Sequence, residues 1–294
     1  MPAVSTGSSN EKAARGTAFG LLVVAAVAVS ACVMDSRSGP EQDNPTAWTW
    51  NAPVAAPATV FVRNTNGSVE IKPATGKNVE VTADVHWRRG DPKHDVTFEG
   101  KSSPNGNILI CAIWNDGSCS ESKYEVKKPG FSVGPFSQGT DATVKFTVYV
   151  PAGVKVDVLT MNGSIGAAAT APVKARTVNG TIKVATSVGP VDAETVNGDV
   201  DVRMTTLGGE GPVRARAVTG SVAAYVPDKF DATVEMESVI GSTVSDFAGT
   251  KATDGDNKKF TATLGTGGRT VDIGTVTGSA SLRKLKADGT VANP

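Results

Sequence analysis

The stretch Val173-Lys174-Ala175-Arg176-Thr177-Val178-Asn179-Gly180-Thr181-Ile182-Lys183-Val184 decides how the rest of the chain is read. Apolar or small residues alternate with polar ones on each side of an Asn-Gly pair. A period of two marks a strand with one buried face. Asn-Gly between two such runs marks a tight corner, because both residues tolerate the left-handed backbone. One unit is therefore two short strands joined by a corner. Further corners stand at Asn66-Gly67, Asn162-Gly163, Asn197-Gly198, Thr219-Gly220, Ile240-Gly241 and Thr277-Gly278. From Gly163 to Gly241 they return about every 20 residues, the period of a repeat array.

Strand-corner-strand units fit either an antiparallel meander or a stack in which equivalent strands lie parallel. The outward residues discriminate between the two. Six positions before the turn glycine the residues are Asp157, Lys174, Asp192, Arg214 and Glu235, a column of alternating charge. Four positions before it they are Leu159, Arg176, Glu194, Arg216 and Glu237, alternating from Arg176 onward. After the corner, Lys183 is matched by Asp201. Equivalent residues of neighbouring parallel strands lie about 4.8 Å apart, where opposite charges attract and like charges repel. A meander does not bring equivalent strands together. Parallel stacking is expected, with the charges fixing register more than adding stability, since exposed pairs contribute about 0–1 kcal/mol each.

The chain before residue 151 differs in its core. Val79 to Trp87 and Thr143 to Val150 alternate as strands do, and eleven of the 16 aromatic residues fall between Trp48 and Tyr149. Residues 46–150 are read as a thicker β portion, continuous with the repeat portion at 151–284. A tail at 285–294 is expected to fray. Cys111 and Cys119 flank an Asp116-Gly117 turn, and in an exported protein so close a pair reads as a disulfide, one that stabilises by about 2–3 kcal/mol. Residues 115–141 read as an exposed excursion. Thr250 to Lys259 is a polar interruption of the repeat.

The N-terminus supplies an address. Lys12 and Arg15 precede an apolar run from Thr17 to Ala31, the form of an export signal. The run ends Val29-Ser30-Ala31-Cys32, similar to the bacterial lipobox, in which the cysteine is acylated and becomes the mature N-terminus. Residues 1–31 are read as a lipoprotein signal peptide and 32–45 as a flexible tether. A plain transmembrane anchor is the other reading of the same run. Both put the remainder outside the cytoplasm, on a membrane held through the N-terminal lipid or segment. With 29 basic and 29 acidic residues the formal charge is zero, which argues against a nucleic-acid partner.

Candidate chemistry is thin. Gly130-Phe131-Ser132-Val133-Gly134 has the G-x-S-x-G form but neither a following helix nor a later histidine. His86 and His94 flank a Gly90-Asp91-Pro92 turn and read as loop residues rather than metal ligands. Asp254-Gly255-Asp256-Asn257 lacks EF-hand spacing. Gly265-Thr266-Gly267-Gly268 lacks the lysine of a phosphate loop. Asn66, Asn162 and Asn179 form glycosylation sequons only because a corner needs Asn-Gly. No cofactor, metal or catalytic residue is assigned.

A lipobox, a tether and seven corners of the form Thr-Val-Asn-Gly-x-Val/Ile-x-Val resemble the bacterial "putative adhesin" family, a domain of unknown function in exported, envelope-associated proteins. The resemblance covers roughly residues 58 to 283. The excursion at 111–140 and the break at 245–260 depart from it. It implies an all-β, right-handed single-stranded β-solenoid-like stack of short strands. The expected function is non-enzymatic adhesion, binding or scaffolding in the envelope, toward an unidentified envelope or surface partner. The alternatives are a self-assembling structural or envelope-stress accessory protein and, further off, a polysaccharide-acting enzyme.

Overall fold

The computed structural model describes residues 46–88, 92–127 and 141–285. Cys32 with its leader and tether, Gly90-Asp91, the Gly130–Gly134 stretch and the tail after Leu285 lie outside them. The first set of elements comprises β1 (Thr46–Pro53), β2 (Thr59–Arg63), β3 (Val69–Pro73), β4 (Asn78–His86), the helical turn α1 (Pro92–Asp95), β5 (Val96–Ser102), β6 (Ile108–Trp114), β7 (Ser118–Cys119), β8 (Tyr124–Glu125) and β9 (Thr143–Val150). The repeat portion supplies β10 (Lys155–Leu159), β11 (Ile165–Ala169), β12 (Val173–Asn179), β13 (Ile182–Val188), β14 (Val191–Asn197), β15 (Val200–Gly208), β16 (Val213–Thr219) and β17 (Val222–Pro227). The last elements are β18 (Ala232–Ser245), β19 (Thr250–Asp254), β20 (Asn257–Leu264) and β21 (Thr270–Leu285).

Equivalent strands pair in parallel. Ahead of the corner the neighbours run β6, β2, β10, β12, β14, β16, β21, β18. Beyond it they run β9, β3, β11, β13, β15, β17, β21, β18. Antiparallel strands finish both ends. β4 lies on β9, β1 on β4 and β5 on β6. At the other end β20 lies on β18 and β19 on β20.

The expectation of an open solenoid stack of short strands is corrected. Nineteen strands form one sheet, which is mostly parallel and wraps through 333° into a nearly closed barrel. The strands are not uniformly short either, since β18 has 14 residues and β21 has 16, each running unbroken through its corner. The physical reason lies in the corner. A glycine at positive φ turns the chain without interrupting the interstrand hydrogen bonds, so strands on both sides of it stay in one curved sheet.

The corner phrase has a role for every letter. Thr177 faces inward and its Oγ1 donates to the Gly163 carbonyl at 2.9 Å; Thr195 does the same to Gly180 at 3.0 Å and Thr275 to Gly220 at 2.8 Å. Asn162, Asn179 and Asn197 form a side-chain ladder, each Nδ2 donating to the Oδ1 of the tier before, at 2.8–2.9 Å. The asparagines of the sequons are therefore engaged in corner bonding. A Cβ on Gly180, Gly198, Gly220 or Gly278 would fall inside contact distance of the carbonyl of the glycine one tier back. The remaining letter, valine, points outward.

Inward positions are small or branched. Val191, Ala193, Val200 and Val202 are fully buried, as are their equivalents along the barrel. The aromatic residues of the first portion close one end, where Trp48 stacks on Phe98 with ring centres 5.4 Å apart and Phe98 meets Phe146 edge-on at 6.2 Å.

Candidate binding face

The outward charge columns lie in register across three successive strands. Lys174 lies opposite Asp192 and Asp192 opposite Arg214; Arg176 lies opposite Glu194 and Glu194 opposite Arg216. Arg176 reaches Asp192 at 3.0 Å and Glu194 at 3.3 Å, while Asp157 is shared by Arg63 at 2.9 Å and Lys174 at 4.0 Å. Lys183 lies opposite Asp201 beyond the corner.

At the far end the column order departs from the chain order. β21 enters between β16 and β18, so Arg214 faces Asp272 rather than Glu235, and Arg216 faces Gly274 rather than Glu237. Asp272 takes both arginines, Arg216 at 2.7 Å and Arg214 at 3.4 Å. Glu235 thus lies opposite a like charge, Asp272, and Glu237 is held instead by Asn257 at 2.7 Å and Lys259 at 3.5 Å. The Asn257 hydrogen bond, with Lys259 adding to it, lowers the Glu237 carboxyl below the usual carboxylate range.

Beside these columns runs a stripe of exposed apolar side chains: Met161, Val178, Val196, Val218, Val276 and Val239. They are the second letter of the corner phrase, repeated in six adjoining tiers. Val218 is 46% exposed and Val276 44%. With Arg176, Glu194, Arg216 and Glu237 along one side, the stripe forms an open groove of about 520 Å³. A lone exposed valine is ordinary, but a contiguous line rimmed by charges marks an interaction surface. Alternation gave the signal in advance. Thr177 faces inward, so Val178 must face out.

A second depression, about 730 Å³, lies beyond the corner over Gly166 and Ala168, edged by Glu70, Lys183, Asp201 and Arg203. Its floor is of small and apolar residues, and its edges are separate charged side chains. Among the described residues no group of three His, Cys, Asp or Glu is placed to hold a metal ion. Asp254 pairs with Asn257 across a two-residue hairpin turn, and the Thr266 amide donates to Asp231, so both glycine-containing candidates are turns. His86 ends β4 opposite Thr143.

The described part of the excursion is fastened down. Cys111 and Cys119 are joined by a disulfide, and β7 and β8 form a small hairpin. The Arg63 guanidinium, almost wholly buried, donates to the Glu121 carbonyl at 2.8 Å and to Asp157 Oδ1 at 2.9 Å. Burial lowers its pKa from the ordinary arginine value, an effect that Asp157 opposes. Glu121 accepts from Asn107 Nδ2 at 3.0 Å. The Tyr124 hydroxyl donates to the Ala112 carbonyl at 2.6 Å and shares a 2.7 Å bond with Thr65.

Burial pushes the Tyr124 phenol up to about 12. The folded chain therefore holds this proton where the unfolded chain, at about 10, releases it. The associated stability is present in full below pH ~10 and fades as pH rises toward ~12, by about 2–3 kcal/mol in total. Urea titrations of wild type and Tyr124→Phe between pH 9 and 12 test this. The wild type should show the steeper alkaline loss, and equal slopes would contradict the assignment.

Residues 152–283, which span β10 to nearly the end of β21, match the family model described as Toastrack DUF4097. Among solved structures the chain is similar to a "putative cell adhesion protein" from Clostridium sporogenes, at 12% identity over 82% of this chain and 100% of that one, with a TM-score of 0.44. It is also similar to a "putative adhesin" from Bacteroides fragilis, at 10% identity over 82% and 97% of the two chains and a TM-score of 0.25. A third, a "putative adhesin" from Parabacteroides merdae, shares 10% identity over 82% and 96%, with a TM-score of 0.26. No curated protein matches the chain.

Proposed function

We propose that the chain is a non-enzymatic, envelope-anchored binding scaffold whose working surface is the apolar stripe. The observation that carries this reading is the exposure of the corner valine in successive tiers beside a line of alternating charge. The corners demand Thr, Asn and Gly for reasons of structure. They make no demand for valine at an outward position, where water would favour a polar residue. Six adjoining apolar side chains on a rigid sheet form a preorganised surface that loses little entropy on binding. In this reading Cys32 carries the lipid, residues 32–45 form the tether and the barrel faces the periplasmic or extracellular side.

Two variants of the full chain test both halves. Cys32→Ala should move the protein from the membrane fraction to the soluble fraction. Val196→Arg with Val218→Arg should leave anchoring and melting temperature unchanged. The same pair should weaken saturable capture by envelopes of cells that display the wild-type chain at least about tenfold, as loss of central apolar contacts in an interface does. Unaltered capture by the arginine variant would contradict the assignment of the stripe.

A further inference from the structure

We propose that the partner of the stripe is a second copy of this chain, docked face to face about a two-fold axis lying parallel to the strands and between β14 and β16. This rests on the reading of the stripe as a binding face and names its occupant. In tier order the outward residues are Leu159, Arg176, Glu194, Arg216, Gly274 and Glu237, and the apolar residues beside them are Met161, Val178, Val196, Val218, Val276 and Val239. An axis in the interface plane along the strands reverses the tier order and keeps the columns facing their own kind. Placed at the midpoint of the six tiers, it sets Val196 on the partner's Val218, Val178 on the partner's Val276 and Met161 on the partner's Val239.

The same operation sets Glu194 on the partner's Arg216 and Arg216 on the partner's Glu194. An isologous interface must be self-complementary in this sense, with residue i meeting j and j meeting i. Sliding the axis half a tier onto β16 would set Arg216 on Arg216 and carry a like-charge penalty. Both side chains are available. Arg216 remains 52% exposed while bound to Asp272, and Glu194 is 37% exposed with an arginine at 3.3 Å on one side. The formal net charge of zero adds no repulsion between copies. In the outer tiers the same axis sets Arg176 on the partner's Gly274 and Leu159 on the partner's Glu237, so no like charges meet along this column.

The experiment is a charge swap on the protein extracted from membranes in mild detergent, read by sedimentation equilibrium. Wild type should form dimers. Glu194→Arg alone and Arg216→Glu alone should each raise the dissociation constant at least about tenfold. Mixed one to one, the two variants should recover the wild-type constant, because the heterodimer restores both opposite-charge contacts. A purely structural role for the ladder inside one chain predicts no recovery on mixing. The proposal is overturned by a wild-type chain that stays monomeric, by variants that dimerise as wild type does, or by a mixture no tighter than its components. If the wild type is monomeric and Val196→Arg still abolishes capture by envelopes, the stripe binds another molecule, so the second copy is excluded while the binding face stands.

Discussion

Gly198→Ala is expected to destabilise the fold by about 4 kcal/mol, from about 1–3 for backbone strain and about 1–3 for overpacking. Gly198 has φ 145°, a region that residues with a side chain rarely adopt. A Cβ there would enter the carbonyl of Gly180, and the whole column of corners passes through contacts of this kind. The neighbouring atoms are backbone held by the bonds Gly180 N to Asn197 O and Gly198 N to Thr219 O, both 2.9 Å, so they cannot give way singly. Against a usual stability of about 5–15 kcal/mol the loss is large. Urea denaturation should show a fall in midpoint. Val196→Ala, two residues away and exposed, should stay within about 0.5 kcal/mol of wild type. A change below ~1 kcal/mol for Gly198→Ala would mean that the corners are looser than the hydrogen-bond column requires.

Arg63→Ala should cost about 3–5 kcal/mol, the range for breaking a buried ion pair from one side. The side chain is 5% exposed and makes four hydrogen bonds, to the Val62, Asp157 and Glu121 carbonyls and to the Asp157 carboxylate. Its guanidinium also lies 5.1 Å from the centre of the Phe61 ring. Removal strips donors from the Glu121 carbonyl and from Asp157, and it frees the β7–β8 hairpin on its inner side. Arg63→Lys should recover less than half of the loss, because one ammonium cannot span Asp157 and Glu121 as a planar fork does. Besides a lower urea midpoint, limited proteolysis should cut within residues 115–127 in Arg63→Ala and spare wild type. Equal resistance would show that the disulfide alone holds the hairpin.

Much of the architecture was legible in the residues, for reasons that also explain what was not. Alternation around Asn179-Gly180 yields strands and their inward faces because side-chain direction has period two. The columns Lys174–Asp192–Arg214 and Arg176–Glu194–Arg216 yield parallel register because neighbouring charges must agree. Position along the chain, however, does not encode position in the stack. β21 comes last in sequence yet lies between β16 and β18, and only Asp272, an acid able to serve Arg214 and Arg216 together, hinted at it. Periodicity is likewise blind to curvature, so the closing of the sheet into a barrel could not be read. Arg63 follows Phe61-Val62 as any outward polar residue would. Its burial arises from the β7–β8 hairpin folding over it, a contact between residues 58 positions apart. The valine stripe follows from the same alternation, because the residue after an inward threonine must face out.

In the proposed function the corners build a rigid sheet, and its outward valines, not the corners' polar groups, form the working surface. The most direct measurement is the affinity of the Val196→Arg, Val218→Arg chain for envelopes that display wild-type protein, taken once its melting temperature is found equal to wild type. Binding at least about tenfold weaker is expected. Wild-type affinity in a variant of wild-type stability would contradict it.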